Sequence, residues 1–228
     1  MEIIQEKDRN LDFVICFDVT GAMSDFIYRF KRGFEDFVHK IIEGANENHT
    51  NVAGIRFRFI QFRNYHYDED PMNESVFFEW PIDRNAIHAY LDKIEVHGKA
   101  NQPHNGLEAI YKAIRSQFVT GKFDRQIIIL FTDSDAVPIG EYKDDPTFPD
   151  NMITTLDKLE DEWCCMSGDT YLRERCKRLM LFAPEETYYS EMMWNRMMFF
   201  PVKAGEGLNE LSIDDIAGSL FQKTIYTI

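Results

Sequence analysis

The chain has 228 residues, 44% hydrophobic and 28% charged, the balance of a soluble, core-forming protein with one large domain or two small ones. Lysine and arginine total 25 against 39 acids, and a net charge of -14 with no basic cluster disfavours binding to nucleic acid or anionic lipid. No apolar run reaches the roughly 20 residues of a membrane span, the first ten residues lack an apolar signal core, and four cysteines (Cys16, Cys164, Cys165, Cys176) are too few for a disulfide scaffold. The expectation is a soluble, cytoplasmic protein. Along the chain, the apolar run 11–17 predicts a buried strand ending at Asp18. Residues 25–44 then place Phe26, Phe30, Phe34, Phe37, Val38 and Ile41 on one helical face, with Ser24 as N-cap and Gly44 as stop. Residues 55–62 alternate and are rich in β-formers, and 76–80 read as a shorter strand closed by Pro81.

Helical patterns follow over 84–94 and 105–118. The run 127–131, Ile-Ile-Ile-Leu-Phe, is the most apolar in the chain and predicts a central parallel strand buried on both faces. Next come a helix over 154–166, a strand over 178–182 stopped by Ala183-Pro184, a short helix over 188–195 and a strand over 197–202. A closing helix over 213–223 has Ser212 as its cap and Asp215 in the box position. Alternating strands and helices predict an α/β fold, a single doubly wound, mostly parallel sheet with helices on both faces. With no linker, repeat or low-complexity segment, one domain is expected over 1–228.

In open parallel sheets, ligands bind beyond the carboxyl ends of the strands at the switch point of strand order. Asp18-Val19-Thr20-Gly21-Ala22-Met23-Ser24 follows the first strand and Thr132-Asp133-Ser134-Asp135 follows the central one. Two carboxylates, Asp18 and Asp133, are thus delivered beside the hydroxyls of Thr20, Ser24, Thr132 and Ser134, a donor set that suits Mg²⁺ or Mn²⁺. The same residues could equally be turn caps and ordinary strand ends. An enzyme reading, a Mg²⁺-dependent phosphohydrolase using Asp18 and Asp133, needs a second acid two residues after the nucleophile. Position 20 is threonine, and no phosphate loop of the GxxxxGK[ST] kind is present.

The motifs carry a family resemblance. Asp18-Val19-Thr20-Gly21-Ala22-Met23 resembles the D-x-[ST]-G-[SA]-M opening of von Willebrand factor A domains, which bears their metal-ion-dependent adhesion site. Gln61-Phe62-Arg63-Asn64-Tyr65 is similar to the FRDY segment of bacterial members, and Gly98 through Pro103 with Asn105-Gly106-Leu107-Glu108-Ala109 to their GGGDxPENGLEA loop and helix. Phe131-Thr132-Asp133 resembles their TDAP strand end, and the segment from Pro201 to Leu208 their closing P-x-KAGEGL. The resemblance implies a non-catalytic module that binds another protein at the C-terminal edge of the sheet. A Mg²⁺ or Mn²⁺ ion held by Asp18, Thr20, Asn101 and Asp133 would bridge to a partner carboxylate. It also implies a bacterial setting among proteins encoded near tellurite-resistance or stress-response genes.

Several positions depart from the family pattern. Ala22 stands where the second hydroxyl belongs, Asn101 where an aspartate is common, His104 where a glutamate is usual, and Lys99-Ala100 replace two glycines. Asp135 stands where the family has proline and is placed to compensate; Ser24 and Ser134 complete the candidate site loops. These departures leave open a scaffold subunit with a vestigial metal site. Tyr65, Tyr67 and Asp68 form a candidate partner-binding rim, joined by residues 135–169 with ten acids and two bases, which would steer a basic partner. Cys164, Cys165 and Cys176 lack the spacing of a zinc site. Met192, Met193, Met197 and Met198 with Trp194 read as core fillers.

Overall fold

The structure, a computed structural model, describes residues 7–98, 102–166, 168 and 170–220. Among these residues seven strands form one sheet: β1 Lys7–Asp18, β2 Thr50–Phe62, β3 Met72–Glu74, β4 Phe78–Trp80, β5 Arg125–Phe131, β6 Lys177–Pro184 and β7 Met197–Val202. Their order is β3-β2-β1-β5-β6-β7, with β4 also paired to β2. β3 and β4 run antiparallel to β2, and every other pairing is parallel. From β1 the chain winds first to β2 on one side and later to β5 on the other. The switch point therefore lies at the carboxyl ends of β1 and β5.

The helices are α1 Ser24–Glu47, α2 Arg84–Asp92, α3 Gly106–Ile114, α4 Leu156–Trp163, α5 Tyr188–Glu191 and α6 Ile213–Leu220. The two-residue period of the strands divides the core between the faces of the sheet. Phe13, Ile15 and Phe17 of β1 and Ile127, Ile129 and Phe131 of β5 join α1, α2 and α6 on one side. Val14, Cys16, Ile128 and Leu130 join α3, α4 and α5 on the other. The fold is the doubly wound α/β arrangement that the sequence predicts. No helix among the described residues is long and apolar enough to cross a membrane.

A row of phenylalanines crosses the sheet one residue short of the switch point. Phe59 stacks on Phe17 at 6.4 Å, Phe17 on Phe131 at 5.8 Å, Phe131 on Phe182 at 5.0 Å and Phe182 on Phe200 at 4.7 Å. Phe26 and Phe30 of α1 close over this row, 4.9 Å from Phe131 and Phe17 respectively. Each such pair contributes about 0.5–1.5 kcal/mol beyond its buried area.

Some boundaries differ from the sequence expectation. α1 is entered through a 3₁₀ turn, Gly21–Met23, so Met23 rather than Ser24 is its N-cap. The helix passes Gly44 because Ala45 is buried beyond it, and the Gly44 carbonyl accepts from Asn48 Nδ2 at 2.8 Å. The predicted strand over 76–80 is shortened to β4, Phe78–Trp80, and β3, Met72–Glu74, is a further strand that the sequence pattern does not predict; between them Ser75 Oγ accepts the Phe59 N–H at 2.9 Å. β6 continues through Ala183-Pro184, where pairing to β5 has ended at Phe182 and only β7 remains alongside. α2, α3, α4 and α5 are shorter than their patterns. The Ser212–Asp215 capping box forms as read, with Ser212 Oγ donating to Asp215 Oδ2 at 2.6 Å and accepting the Asp215 N–H at 3.1 Å. Residues 221–223 of the predicted closing helix lie outside the described residues.

The segment between β7 and α6 is pinned at three points. Arg29 of α1 donates to the Leu211 and Leu208 carbonyls at 2.6 and 3.0 Å. Gly33 lets α6 approach, since a Cβ there would lie 2.9 Å from Ile213 Cγ1. Gly207, at φ +60°, sits so close to the Ala22 carbonyl that a Cβ would collide with it. Phe131→Ala is expected to cost about 3–5 kcal/mol in denaturant unfolding, the range for a truncated core aromatic. Gly207→Ala should lower stability by about 1–3 kcal/mol through the left-handed backbone and the collision. Gly218→Ala in α6, where a Cβ meets nothing within 4 Å, should raise it by about 0.4–1 kcal/mol in the same assay.

Candidate binding edge at the carboxyl ends of β1 and β5

The parallel register pairs Cys16 with Leu130 and Phe17 with Phe131, so the chain delivers Asp18 and Thr132 side by side where the two strands end. Asp18 is fully buried, and both of its carboxylate oxygens are engaged. Oδ1 accepts from the Thr20 N–H at 3.1 Å and from Thr20 Oγ1 at 2.7 Å. Oδ2 accepts from Thr132 Oγ1 at 2.7 Å and from Ser134 Oγ at 3.3 Å, and lies 2.8 Å from His104 Nδ1. The same imidazole nitrogen is 2.7 Å from Ser134 Oγ. His104 is 1% exposed and enters from the loop before α3, its N–H donating to the Asp135 carbonyl and its own carbonyl accepting from the Val137 N–H.

Burial works to raise the pKa of Asp18, and the electrostatic pull of His104 with the hydrogen bonds from His104, Thr132 and Thr20 outweighs it, leaving the carboxyl below its usual range. Asp18 therefore contributes stability that is present above the usual carboxylate pKa and lost as pH falls through its lowered value. Asp133 is shifted the other way, first by burial and then by the charge of Asp18, against the opposing Gly207 N–H bond. Its Oδ2 accepts that N–H at 2.8 Å and its carbonyl accepts the Gly205 N–H at 2.8 Å, so Asp133 anchors the segment after β7. Neither glycine is among the candidate site residues read from sequence, although both stand in the quoted Lys203-Ala204-Gly205-Glu206-Gly207-Leu208 motif.

A cleft of about 290 Å³ opens above this cluster, lined by Gln102, Pro103, Asp133, Ser134, Asp135, Ala204 and Gly205. Asp135 is half-buried at its wall, with Oδ1 accepting the N–H groups of Ala136 and Tyr188 at 2.7 and 2.9 Å, and so fixes the start of α5. Ala22 is half-buried in the 3₁₀ turn, and Ser24 is exposed at the start of α1 without a bond to the cluster. Asn101 lies outside the described residues. Beneath the cluster, Glu108 Oε2, Asn105 Nδ2 and the Tyr189 hydroxyl are buried with no hydrogen-bond partner among the described residues. Burial holds the Glu108 carboxyl above its usual range.

The rim is built from two loops that sequence alone does not join. Thr147 Oγ1 donates to the Tyr65 carbonyl at 2.7 Å, His66 stacks on Tyr142 at 5.2 Å, and His66 Nδ1 lies 3.4 Å from Asp145 Oδ2. Tyr65 departs from the expectation of a rim contact. It is 2% exposed and turned inward against Phe148 at 5.0 Å, because Phe148 and Met152 offer it an apolar seat. Tyr67 is 44% exposed, and half-buried Asp68 accepts the Asn64 N–H at 3.2 Å.

An octahedral Mg²⁺ or Mn²⁺ site needs oxygens converging at about 2.1 Å on a common centre. Asp18 has no unengaged oxygen, the side chain at position 22 supplies none, and an imidazole nitrogen contacts both Asp18 Oδ2 and Ser134 Oγ. Among the described residues, no group of three or more His, Cys, Asp or Glu side chains converges where an ion could sit. As arranged, these donors do not fit a hard cation. All four cysteines are free thiols.

No family model matches the chain, and neither does any curated protein. Among solved structures, a form of the pilus adhesin SpaC from Lactobacillus rhamnosus GG superposes with a TM-score of 0.59 at 10% identity over 95% of the chain. The open conformation of that adhesin gives 0.55 at 10% identity over 95%. Proximal thread matrix protein 1 from the mussel byssus gives 0.48 at 12% identity over 93%. The chain spans only 32% and 31% of the two adhesin chains and 46% of the matrix protein. At 10% identity, the superposition on the adhesin establishes a shared α/β fold.

Proposed function

We propose that the chain is a non-catalytic protein-interaction module that receives its partner at the C-terminal edge of the sheet. The observation that carries this reading is the cleft of about 290 Å³ at the switch point, walled by Asp133, Ser134 and Asp135, of which Ser134 also bonds to the buried polar cluster. An open cleft of mixed lining, with carboxylates on an otherwise largely apolar wall, has the make-up of a recognition edge, and the exposed Tyr67 is a candidate anchor. The neighbouring stretch 135–169, with ten acids and two bases, suits a partner with a basic face.

The finer expectation from the von Willebrand factor A resemblance is a Mg²⁺ or Mn²⁺ ion on Asp18, Thr20, Asn101 and Asp133 that bridges to a partner carboxylate. The donor arrangement favours instead the scaffold reading, in which the metal site is vestigial and the edge itself makes the contacts. The stress-associated bacterial subgroup remains the setting that the motifs suggest, and four free thiols suit a reducing cytoplasm. Catalysis by Asp18 draws little support, because a nucleophilic carboxylate needs an accessible oxygen, and this one is fully buried with both oxygens bonded.

A photo-crosslinking amino acid placed at Tyr67 or Gln102 should give discrete adducts in the source cell. The same group at Phe123, before β5 at the opposite end of the sheet, should give none; equal yield at Phe123 would remove the edge from consideration. The Tyr67 adduct should weaken as salt rises and persist in chelator, as an acidic rim requires, whereas loss in chelator alone would restore the bridging ion. Hydrolysis of p-nitrophenyl phosphate should be indistinguishable between the native chain and Asp18→Asn. A rate that vanished in the variant would establish the enzyme reading.

A further inference from the structure

We infer that His104 occupies the place of the cation at this edge and that recognition here is therefore independent of divalent metal. An ion joining the ends of β1 and β5 would have to touch Asp18 Oδ2 and the hydroxyls that follow β5. His104 Nδ1 is already 2.8 Å from Asp18 Oδ2 and 2.7 Å from Ser134 Oγ, and Thr132 Oγ1 reaches that same Asp18 oxygen at 2.7 Å. A metal bonded to those oxygens at about 2.1 Å would have to replace the contacts they already make with the ring and with one another.

The ring is not free to step aside. His104 is 1% exposed, and its main chain is held by the Asp135 carbonyl and by the Val137 and Gly106 N–H groups. The next residue, Asn105, is fully buried and accepts the Tyr65 N–H at 2.9 Å. Ala22, half-buried in the turn after β1, has no side-chain oxygen to offer, while the imidazole takes up contacts with Asp18 and Ser134. What the ion would supply, contact with Asp18 and a tie between the β1 and β5 loops, the imidazole supplies from within the chain. The inference draws on the proposed recognition edge only for its consequence. Its test contains no partner, so its failure would leave the crosslinking result untouched.

The test is calorimetric titration of Mg²⁺ and of Mn²⁺ into the chelator-treated full chain and into His104→Glu, His104→Gln and the double variant His104→Glu/Asp18→Asn. The native chain and His104→Gln, which keeps an N–H donor, should show no saturable heat up to millimolar ion. His104→Glu, which puts carboxylate oxygens where the ring stood, should gain saturable binding that disappears in the double variant. Circular dichroism establishes that each variant is folded. If His104→Glu does not fold, the ring resonances of His104 in the native chain decide the matter, because they should stay sharp as Mn²⁺ is added. Saturable binding to the native chain, selective Mn²⁺ broadening of the His104 ring at submillimolar ion, or a folded but silent His104→Glu would each overturn the inference.

Discussion

A carboxylate with no access to water must be neutralised where it stands, and the constraint set by Asp18 organises the whole carboxyl edge. Its two oxygens collect contacts from three separate stretches of chain: the turn after β1, the loop before α3 and the loop after β5. Removing one contributor would leave a buried charge short of partners, which costs far more than the bond itself contributes. The three loops therefore hold one another in place through a single side chain. Asp133, beside this charge, is pushed toward its neutral form and serves as an anchor for Gly205 and Gly207.

The cluster is also supported from below. Phe17 and Phe131 immediately precede Asp18 and Thr132, and both belong to the stacked row that runs from β2 to β7. Because α1 packs on that row through Phe26 and Phe30, the polar edge rests on the stacked aromatic part of the apolar core. Strand register places the residues, ring packing fixes the strand ends, and the hydrogen bonds then need only short reaches.

Much of this was legible in the sequence where the signal is local. The bounds of β7, the burial of β5 on both faces and the Ser212–Asp215 box all follow from patterns within a few residues. What could not be read are contacts closed across the fold. His104 meets Asp18 over a separation of 86 residues, and nothing near position 104 announces that its ring contacts a buried carboxylate. Tyr65 reads as a rim aromatic because it follows a strand end, and only Phe148 and Met152, brought over by a distant loop, turn it inward. β3 is not legible because its three residues, Met72–Glu74, are mostly exposed and carry no apolar pattern, and it forms by antiparallel pairing with the end of β2.

The seating of α6 bears on the kinetics expected of the proposed binding edge. Arg29 holds the chain entering that helix by two main-chain carbonyls, Gly33 draws Ile213 down onto α1, and Gly207 ties the same segment to Asp133. On the proposed function, an edge held at both the strand ends and the terminal helix has one geometry to offer. Association there would proceed as a single second-order step whose rate tracks partner concentration, with no preceding unimolecular rearrangement to cap it.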